Sequence, residues 1–519
     1  MAQAKKRILW ADDEISLLRP FVIMLEKMGY EVMTHTNGPD AIEALLAEGA
    51  DLVILDENMP GMNGLDVLSQ MKSLVPEVPV MMMTKSEAID TMQTAYGRQI
   101  DGYLVKPVNM VQFQAGITGL LSRQDLVSEN VRMRYVQEYA GMMDSVSRAN
   151  TFAEWAAAYK NIVDWELRLE ANEEMQSMHL ELKNEANRGF AKFVCANYQD
   201  WIAHPDRPNV PLMSHRIMSE RIKPMLKNGE RVALVVIDNF RLDQWETVRR
   251  LIGDEFRVST DLYCGILPSA TQYARNSIFS GLLPADIKKY LPNYWVDDDA
   301  NEDSLNQYER ELLANYFERQ RMTDIKTAYY KVGNNESGEN IIKKFGGYTH
   351  NNLNALVYNF VDMLSHSATE SRTLKDLLPD DAAYRSLTRS WFVHGNLRQM
   401  LFLLRDKGYT TILTTDHGTI RVSQPVDVKG PRELNSNLRF KTGKSMTYKP
   451  NEVFAIERPA EVGLPTSALS SSYIFTKGNQ FFVYPNNRNE FVRYYTDTFQ
   501  HGGISMEELI LPIVTLRSK

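Results

Sequence analysis

The segments VALVVID at residues 232–238 and TILTTDH at residues 411–417 decide the fold of the C-terminal part of the chain. Each is a short run of apolar and β-branched residues that ends in an acidic residue, which is typical of a buried strand in a parallel sheet. Asp238, Asp416 and His417 would then emerge at the carboxyl edge of that sheet. Open α/β sheets bind their ligands at this edge, so we expect a functional site there.

Six side chains in this part of the chain have the chemistry of a metal site. They are three carboxylates and three imidazoles: Asp238, Asp362, His366, Asp416, His417 and His501. Zinc accepts neutral imidazole nitrogen and carboxylate oxygen, and two zinc ions about 3.5–4 Å apart can hold both ends of an in-line phosphoryl displacement. The residue types therefore predict a two-metal site.

A nucleophile for such a reaction follows the turn-forming segment 268–270. Thr271 begins a predicted helix, and the N–H groups at a helix N-terminus favour anions. A hydroxyl in that position can lose its proton to a metal and attack phosphorus. Taken singly, each of these residues also has an ordinary explanation, because an Asp after a strand is often a helix N-cap and an isolated His is often a core or surface group.

The order of these residues resembles the PglZ branch of the alkaline phosphatase superfamily, from about residue 231 to residue 519. The resemblance rests on Asp at a strand end, Thr after PSA, Asp-x-x-x-His, Asp-His-Gly, and His-Gly-Gly before MEELILP. It implies that Thr271 is the nucleophile and bridges the two zinc ions. It assigns the metal ligands in two sets: Asp238, Asp416 and His417 for one zinc ion, and Asp362, His366 and His501 for the other.

Arg275 lies four residues after Thr271, which is one helical turn. Several members of the superfamily use an Arg at this position to hold a non-bridging oxygen of the substrate, and the resemblance implies the same role here. The alternative is a solvated Arg on an exposed helix face, because exposed basic residues are common.

A second set of residues, near the N-terminus, predicts different chemistry. The run ILWA at 8–11 ends in Asp12 and Asp13, and the run LVIL at 52–55 ends in Asp56. Three carboxylates at neighbouring strand ends form an oxygen pocket for Mg²⁺, and one of them can accept a phosphoryl group if a cation neutralises it. Lys106, which precedes a proline, supplies that cation.

These residues resemble a two-component receiver domain from residue 6 to about residue 123. The resemblance implies that Asp56 is the phosphoacceptor and that Thr84 is the hydroxyl that moves toward the acyl phosphate. Tyr103 would be the aromatic residue that repacks with Thr84, and Lys106 the cation at the site.

Two further positions lie close to the phosphoacceptor site. Asn58 falls where members of the receiver family tune the lifetime of the phosphoryl group, and Lys85 follows Thr84 where a small residue is usual. The alternative is that the three aspartates only solvate the edge of a flavodoxin-like sheet. We favour the receiver because Thr84 and Lys106 also fall in register.

Residues 124–205 predict a helical connector. They have no strand-like alternation, and Met, Tyr, Trp and Leu recur every three or four residues. Thr151 and Glu154 have the spacing of a capping box, so we expect a bundle of about three helices. An aromatic stripe with interleaved basic residues can also mark a nucleic-acid surface, but this spacing is more typical of a helical core with a solvated face. Pro205 and Pro208 then break the chain.

The predicted fold class is multidomain α/β. We expect a flavodoxin-like receiver at residues 1–123, a three-helix-bundle connector at 124–205 and an alkaline-phosphatase-like α/β sandwich domain at 206–519. A chain of 519 residues accommodates three such domains. Segments 293–303 and 334–347 are rich in Gly, Asn and charge, and either could be a substrate lid.

Composition favours a cytoplasmic protein. The two cysteines are too few for a disulfide framework, and no apolar run approaches the length of a membrane span. The N-terminal basic residues are followed by only four apolar residues, so we expect no secretory signal. The net charge of −8 argues against broad non-specific DNA binding, because counterion release needs a basic face.

Three classes of function remain. The first is a receiver that controls a zinc phosphodiesterase or phosphatase, and the second is a signalling adaptor whose metal domain only binds a protein partner. The third class, a sulfatase, is the weakest hypothesis, because those enzymes oxidise a Cys or Ser to an aldehyde that Thr cannot form.

The order of receiver, helical connector and PglZ-like domain resembles the domain order of a group of response regulators linked to type IX secretion. This resemblance implies a sensor histidine kinase, a sigma factor or secretion-motor component, and a second copy of the chain as partners. It also favours nucleotide or oligonucleotide phosphodiesters as the substrate. We expect phosphorylation of Asp56 to promote a homodimer, because the face that carries Tyr103 commonly becomes a two-fold interface in receivers.

Overall fold

The computed structural model describes residues 5–84, 100–170, 172–296, 306–345, 350–370, 372–430, 437–466, 471–486 and 488–519. The chain divides into two compact units, Met1–Arg134 and Tyr135–Lys519. Lys85 and parts of the two predicted lid segments, residues 297–303 and 346–347, lie outside the described residues.

The first unit is built on a parallel five-stranded sheet. Its elements are β1 (Arg7–Ala11), α1 (Arg19–Lys27), β2 (Glu31–His35), α2 (Gly38–Glu48), β3 (Leu52–Asp56), α3 (Gly64–Leu74), β4 (Val80–Thr84) and β5 (Gly102–Val105). The strand order is β2-β1-β3-β4-β5, the order of flavodoxin-like folds. One apolar layer packs α2 and α3 on the sheet, and the other packs α1 and the start of the following helix. The predicted receiver fold is therefore confirmed.

Three long helices follow, as the helical spacing predicted: α4 (Met110–Arg148), α5 (Phe152–Arg168) and α6 (Glu173–Ala203). Thr151 and Glu154 form the predicted capping box at the start of α5. Helix α4 runs without a break through the expected boundary at residue 123, and the two compact units divide eleven residues later. No proline interrupts α4, since none occurs between Pro107 and Pro205.

The second unit contains a six-stranded sheet in the order β7-β18-β10-β6-β9-β8. Its strands are β6 (Val232–Ile237), β7 (Phe256–Cys264), β8 (Thr327–Val332), β9 (Leu353–Tyr358), β10 (Thr410–Thr414) and β18 (Ile510–Ser518). Strands β10, β6, β9 and β8 are parallel, whereas β18 is antiparallel to both neighbours. Ile237 lies opposite Tyr358, so the carboxyl ends of β6 and β9 are level.

The described residues after the connector also form further helices. They are α7 (Lys223–Lys227), α8 (Leu242–Arg249), α9 (Thr271–Ser280), α10 (Pro284–Tyr290), α11 (Glu309–Arg319), α12 (Asn335–Lys344), α13 (Phe360–Glu370), α14 (Arg372–Leu377), α15 (Asp381–His394), α16 (Asn396–Asp406), α17 (Arg488–Tyr495) and α18 (Met506–Leu509). Most of the second predicted lid segment is therefore helix α12, which Asn334 caps by accepting from the Ser337 N–H.

Short strands complete the second unit. They are β11 (Ile420–Arg421), β12 (Gln424–Asp427), β13 (Phe440–Gly443), β14 (Phe454–Ile456), β15 (Ser472–Phe475), β16 (Gln480–Val483) and β17 (Phe499–Gln500). They pair as β11 with β17, β12 with β16, and β13-β15-β14. None of the helices in the described part of the chain has the length and apolar character needed to span a membrane.

Candidate functional site

The residue after Asp238 brings the predicted carboxylates together. Asn239 has a left-handed backbone with φ of 61°, which Asn tolerates better than most residues. Its side-chain amide donates to Asp362 Oδ1 over 3.1 Å and to Ser365 Oγ over 3.0 Å. Its backbone N–H donates to Asp416 Oδ1 over 3.3 Å. A residue that the sequence analysis did not select thus fixes two of the carboxylates beside Asp238.

Thr271 lies next to this cluster as the first residue of α9. Its Oγ1 is 3.0 Å from His417 Nε2 and 3.4 Å from Asp238 Oδ1. His417 Nδ1 is 3.2 Å from the carbonyl oxygen of Gly418. Because a carbonyl oxygen only accepts, Nδ1 carries the proton and Nε2 presents its lone pair to the Thr271 hydroxyl.

Asp362, His366 and His501 form the neighbouring half of the cluster. Asp362 and His366 are one turn apart on α13, so they face the same side. His366 Nε2 is 3.4 Å from Asp362 Oδ1 and 3.5 Å from His501 Nε2. Two nitrogen ligands of a tetrahedral zinc ion stand about 3.3 Å apart, so this spacing suits a shared cation. Burial lowers the pKa of His501 to about 3 and keeps it neutral, the form that binds metal.

The charges of the cluster also fit a bound cation. Two overlapping groups have ligand atoms within 4.8 Å of one another: Asp238, Asp416 and His417, and Asp362, His417 and His501. Burial raises the pKa of Asp416 to about 6 and that of Asp238 well above its ordinary range, although Arg275 opposes both shifts. Asp416 Oδ2 is buried and accepts no hydrogen bond from the described residues. Crowded carboxylates of this kind gain most from added positive charge, so the residues can hold a metal.

Arg275 is fully buried, so the alternative of a solvated surface Arg is wrong. Its Nη1 donates to Asp238 Oδ2 over 2.9 Å and to Asn359 Oδ1 over 3.2 Å. Its Nε is 2.6 Å from Glu309 Oε1. The guanidinium group therefore holds Asp238 in place, and its contact with a substrate oxygen stays a prediction.

A buried ion pair supports the loop that carries His501. Arg439 and Glu508 are both fully buried and form a salt bridge. Glu508 Oε1 accepts from the Gly503 N–H over 2.8 Å and from the Ser269 hydroxyl over 3.3 Å. The Ser269 carbonyl oxygen lies 3.2 Å from His501 Nδ1, so one carboxylate ties together the loops of the candidate nucleophile and of His501.

A larger set of buried charges joins the connector helices to the same loops. We call it the ionic network: Lys183, Arg241 and Arg385 with Glu166, Asp243, Asp381 and Glu507. Lys183 on α6 lies 3.0 Å from Glu166, 3.4 Å from Asp381 and 3.4 Å from Glu507. Arg241 lies 2.7 Å from Asp381, and Arg385 lies 2.7 Å from Glu166 and 3.1 Å from Asp243. Because Arg241 follows Asp238 by three residues and Glu507 follows His501 by six, the connector contacts the segments that carry the predicted ligands.

The first unit holds the predicted phosphoacceptor site. Asp12, Asp13 and Asp56 offer oxygen atoms within 4.8 Å of one another. Lys106 Nζ is 2.7 Å from both Asp12 Oδ2 and Asp56 Oδ1. The backbone N–H of Asn58 donates to Asp56 Oδ2 over 3.0 Å. This arrangement can hold Mg²⁺ and a phosphoryl group on Asp56.

The two predicted switch residues are in contact. The Thr84 hydroxyl donates to Glu57, a partner that the sequence analysis did not predict. Burial raises the pKa of Tyr103, and a hydrogen bond with Thr84 partly offsets that shift. Because the two side chains are hydrogen-bonded, a movement of the Thr84 side chain would directly affect the position of Tyr103.

The sequence signals for the supporting residues are weak. Asn239 is adjacent to Asp238 and could be found by asking which residue tolerates a left-handed backbone after a strand. Glu309 and Glu508 lie far from their partners along the chain, so no local pattern connects them.

Three known families match this chain, in the same order as the three predicted domains. Residues 8–118 match the response regulator receiver domain, and residues 125–202 match the PorX response regulator linker domain. Residues 217–516, more than half of the chain, match the BREX system PglZ alkaline phosphatase-like domain. The predicted fold class and the predicted order of receiver, helical linker and PglZ-like domain are therefore confirmed.

Two curated relatives each match about a quarter of this chain. The probable transcriptional regulator ycf27 of Porphyra purpurea is 33% identical over 131 residues, which are 25% of this chain and 54% of the relative. The alginate biosynthesis regulator AlgB of Pseudomonas aeruginosa is 35% identical over 137 residues, 25% of this chain and 30% of the relative. The chain thus spans about half or less of the length of these relatives. A CheY-like receiver domain protein from Methanospirillum hungatei is 27% identical, with a TM-score of 0.23 over 24% of this chain and 98% of its own.

Proposed function

Since the chain belongs to the family of BREX system PglZ alkaline phosphatase-like domains, we propose that it is a response regulator in which phosphorylation of Asp56 controls a di-zinc phosphodiesterase or phosphatase. The observation that carries the proposal is the position of Thr271. Its hydroxyl lies 3.0 Å from His417 Nε2 and 3.4 Å from Asp238, at the start of a buried helix. A protein that only binds a partner has no physical need for a hydroxyl amid six ligand side chains.

In the proposed reaction the ligands divide as follows: Asp238, Asp416 and His417 for one zinc ion, and Asp362, His366 and His501 for the other. When bound, the cations would neutralise phosphoryl oxygens and make a coordinated hydroxyl more acidic. Thr271 Oγ1 forms a bond to phosphorus while the bond to the leaving alkoxide breaks, and the leaving group takes up the hydroxyl proton. Water then hydrolyses the threonine ester and releases the phosphoryl product.

The remaining parts of the proposal rest on resemblance. Nucleotide or oligonucleotide phosphodiesters are the proposed substrates, and a link to type IX secretion is proposed because the order of the three domains resembles that of response regulators with this link. The proposed partners are a sensor histidine kinase, a sigma factor or secretion-motor component, and a second copy of the chain after phosphorylation. Mg²⁺ at Asp12, Asp13 and Asp56 would assist phosphoryl transfer, and a cytoplasmic location would give the receiver access to its kinase.

The test is hydrolysis of a chromogenic diester and a chromogenic monoester by the full chain, together with elemental analysis. Protein prepared without chelator should hold about two zinc ions per chain, because two sets of nitrogen and oxygen ligands can form. Chelation should abolish hydrolysis, and zinc should restore it. Absence of any bound transition metal would refute the di-zinc site. Bound zinc without hydrolysis of either ester would favour the adaptor instead.

A further inference from the structure

The six-stranded sheet of the second unit ends at β7, a strand of nine residues. Among the described residues, β7 pairs with β18 on one side, and on its other side it forms only a single bridge, between Cys264 and Met213. Between residues 256 and 262, the backbone N–H and C=O groups that point away from β18 therefore have no strand partner in this part of the chain. Such a row of unpaired groups is a template for the addition of another strand.

The features that usually protect an edge strand are missing from β7. Natural proteins protect such strands with a proline, a lysine, a bulge or a very short length. The sequence FRVSTDLYC contains neither proline nor lysine, and its register with β18 continues through nine residue pairs without a bulge. The opposite edge of the sheet is different, because β8 has only six residues and includes the exposed Lys331. Strand β7 is thus the less protected of the two edges.

The exposed side chains of β7 carry both signs of charge. Arg257, Ser259 and Asp261 alternate along the strand, so they lie on the same face of the sheet. Arg257 is directly opposite Arg517 of β18, and like charges in that position are unfavourable. Among the described residues Arg257 forms no ion pair, whereas Arg517 pairs with Glu230 over 3.1 Å. A carboxylate on the free side of β7 would therefore stabilise Arg257.

A second copy of β7 supplies this carboxylate in one register. When two identical strands pair in antiparallel fashion, a two-fold axis passes through one residue, and positions equally far from it lie opposite each other. With the axis at Ser259, Arg257 of each copy lies opposite Asp261 of the other, and two ion pairs form. With the axis at Arg257 or at Asp261, identical charges are opposite each other. An axis one residue to either side of Ser259 forms no pair of opposite charges.

We propose that two copies of this chain associate through β7, in an antiparallel pairing centred on Ser259. The two six-stranded sheets join edge to edge, with an ion pair between Arg257 and Asp261 on each side of the axis. Asp261 is 3.2 Å from Arg221, but these side chains are 53% and 41% exposed, and such a pair contributes about 1 kcal/mol or less. Asp261 can therefore turn to the second copy. This contact is separate from the receiver face that carries Tyr103, and it does not depend on the proposed hydrolase activity.

Sedimentation velocity of the full chain over a range of protein concentrations tests this contact. The Asp56→Ala variant serves as the parent, because it excludes association that phosphorylation of the receiver would cause. Its dimer fraction should rise with concentration. In this parent, Arg257→Glu should weaken association by about 10-fold or more, because two pairs of opposite charge become two pairs of like charge. The charge swap Arg257→Asp with Asp261→Arg should restore association, since the same two pairs form with their signs exchanged.

Arg458→Glu is the matched control for the charge reversal. Arg458 lies outside β7, its side chain is 80% exposed, and it pairs with Glu461 over 3.1 Å. Its reversal changes the net charge as much as Arg257→Glu does, so it should leave the dimer fraction unchanged.

Ser259→Cys gives a second measurement, because the two introduced thiols face each other across the axis. Opposite Cα atoms of an antiparallel pair are about 4.5–5.5 Å apart, which is within the reach of a disulfide. Mild oxidation should therefore cross-link this variant into a covalent dimer. Ser219→Cys, at an exposed position outside β7, should not cross-link.

A monomer at every concentration would overturn the proposal, as would a dimer that persists equally in Arg257→Glu. If the parent dimerises but Ser259→Cys does not cross-link, the register centred on Ser259 is wrong. Restored association in the charge swap, together with cross-linking at Ser259, would establish the contact.

Discussion

Both acidic clusters of this protein form at the carboxyl ends of parallel strands, yet they neutralise their charge differently. The cluster in the first unit uses only oxygen atoms and a lysine, with Lys106 2.7 Å from both Asp12 and Asp56. The cluster in the second unit adds imidazoles and buries its guanidinium, Arg275. Oxygen ligands suit Mg²⁺, whereas imidazole with carboxylate suits zinc. The carboxyl edge of a parallel sheet can therefore suit two different cations, and the ligand atoms decide which.

The largest expected effect tests Thr271, the proposed nucleophile of the second unit, which has no counterpart in the role of Asp56 as phosphoacceptor in the first unit. Thr271→Ala should reduce diester hydrolysis by about 10³-fold or more, because no other hydroxyl is expected to attack phosphorus. Zinc content should change little, because the carboxylates and imidazoles supply most of the affinity. Thr271→Ser should retain some activity. An alanine variant that cleaves the diester as fast as wild type would identify a water molecule as the nucleophile.

The second prediction concerns the buried charges of the ionic network behind the predicted metal ligands. Lys183→Met should lower the free energy of unfolding by about 3–5 kcal/mol, because it leaves buried carboxylates without their cation. Urea unfolding followed by tryptophan fluorescence reports mainly on the second unit, since six of the seven tryptophans lie there.

Lys449→Met is the control for this experiment. Lys449 lies 3.0 Å from Glu452, but its side chain is 70% exposed, so its removal should change stability by less than about 1 kcal/mol. Equal effects of the two substitutions would contradict a stabilising role for the ionic network.

The third prediction compares the residues that orient the ligands. Asn239→Gly removes the amide that holds Asp362 while tolerating the left-handed backbone, and it should weaken zinc binding by about 10- to 100-fold. Asn58 contacts Asp56 through its backbone N–H, so Asn58→Gly should change Mg²⁺ affinity much less. Zinc competition with a chromogenic chelator and Mg²⁺ calorimetry measure the two affinities. A similar loss of metal affinity at both sites would contradict this difference between the clusters.

The smallest expected effect is the coupling between the two units. Beryllofluoride, a phosphoryl mimic, should raise diester hydrolysis at least about 5-fold and shift the chain toward a dimer, because charge at Asp56 attracts Thr84 and repacks Tyr103. Sedimentation and hydrolysis on one sample measure both changes. Asp56→Ala should respond in neither assay. If beryllofluoride changes neither the oligomeric state nor the hydrolysis rate of the wild type, the proposed coupling is refuted. The proposed hydrolase activity is not affected by that result.

The strand ends were predictable because their signal is local. Short apolar runs followed by Asp12, Asp56, Asp238 and Asp416 indicate buried strands, and parallel strands bring their carboxyl ends to one edge. The fold class followed from those runs and from helical spacing in the connector. The expected boundary between receiver and connector at residue 123 had no such local signal, and helix α4 continues through it.

The supporting contacts were not predictable in the same way. Arg275 meets Glu309, which is 34 residues away in a different helix, and no periodicity connects two such positions. Glu309 and Asp238 together pair with the buried guanidinium group of Arg275, so the choice between a buried and an exposed Arg could not be made from helix spacing alone. Lys183 and Glu507 are separated even further along the chain.

The ionic network limits how chains of this kind can exchange parts through recombination. A crossover between residues 202 and 217, where the two family matches are separated, would divide Lys183 and Glu166 from Asp381, Arg385 and Glu507. A linker inherited from an unrelated gene would then meet carboxylates and guanidinium groups that it could not pair. A crossover at Arg134 divides none of these pairs. The linker and the PglZ-like domain should therefore be inherited together.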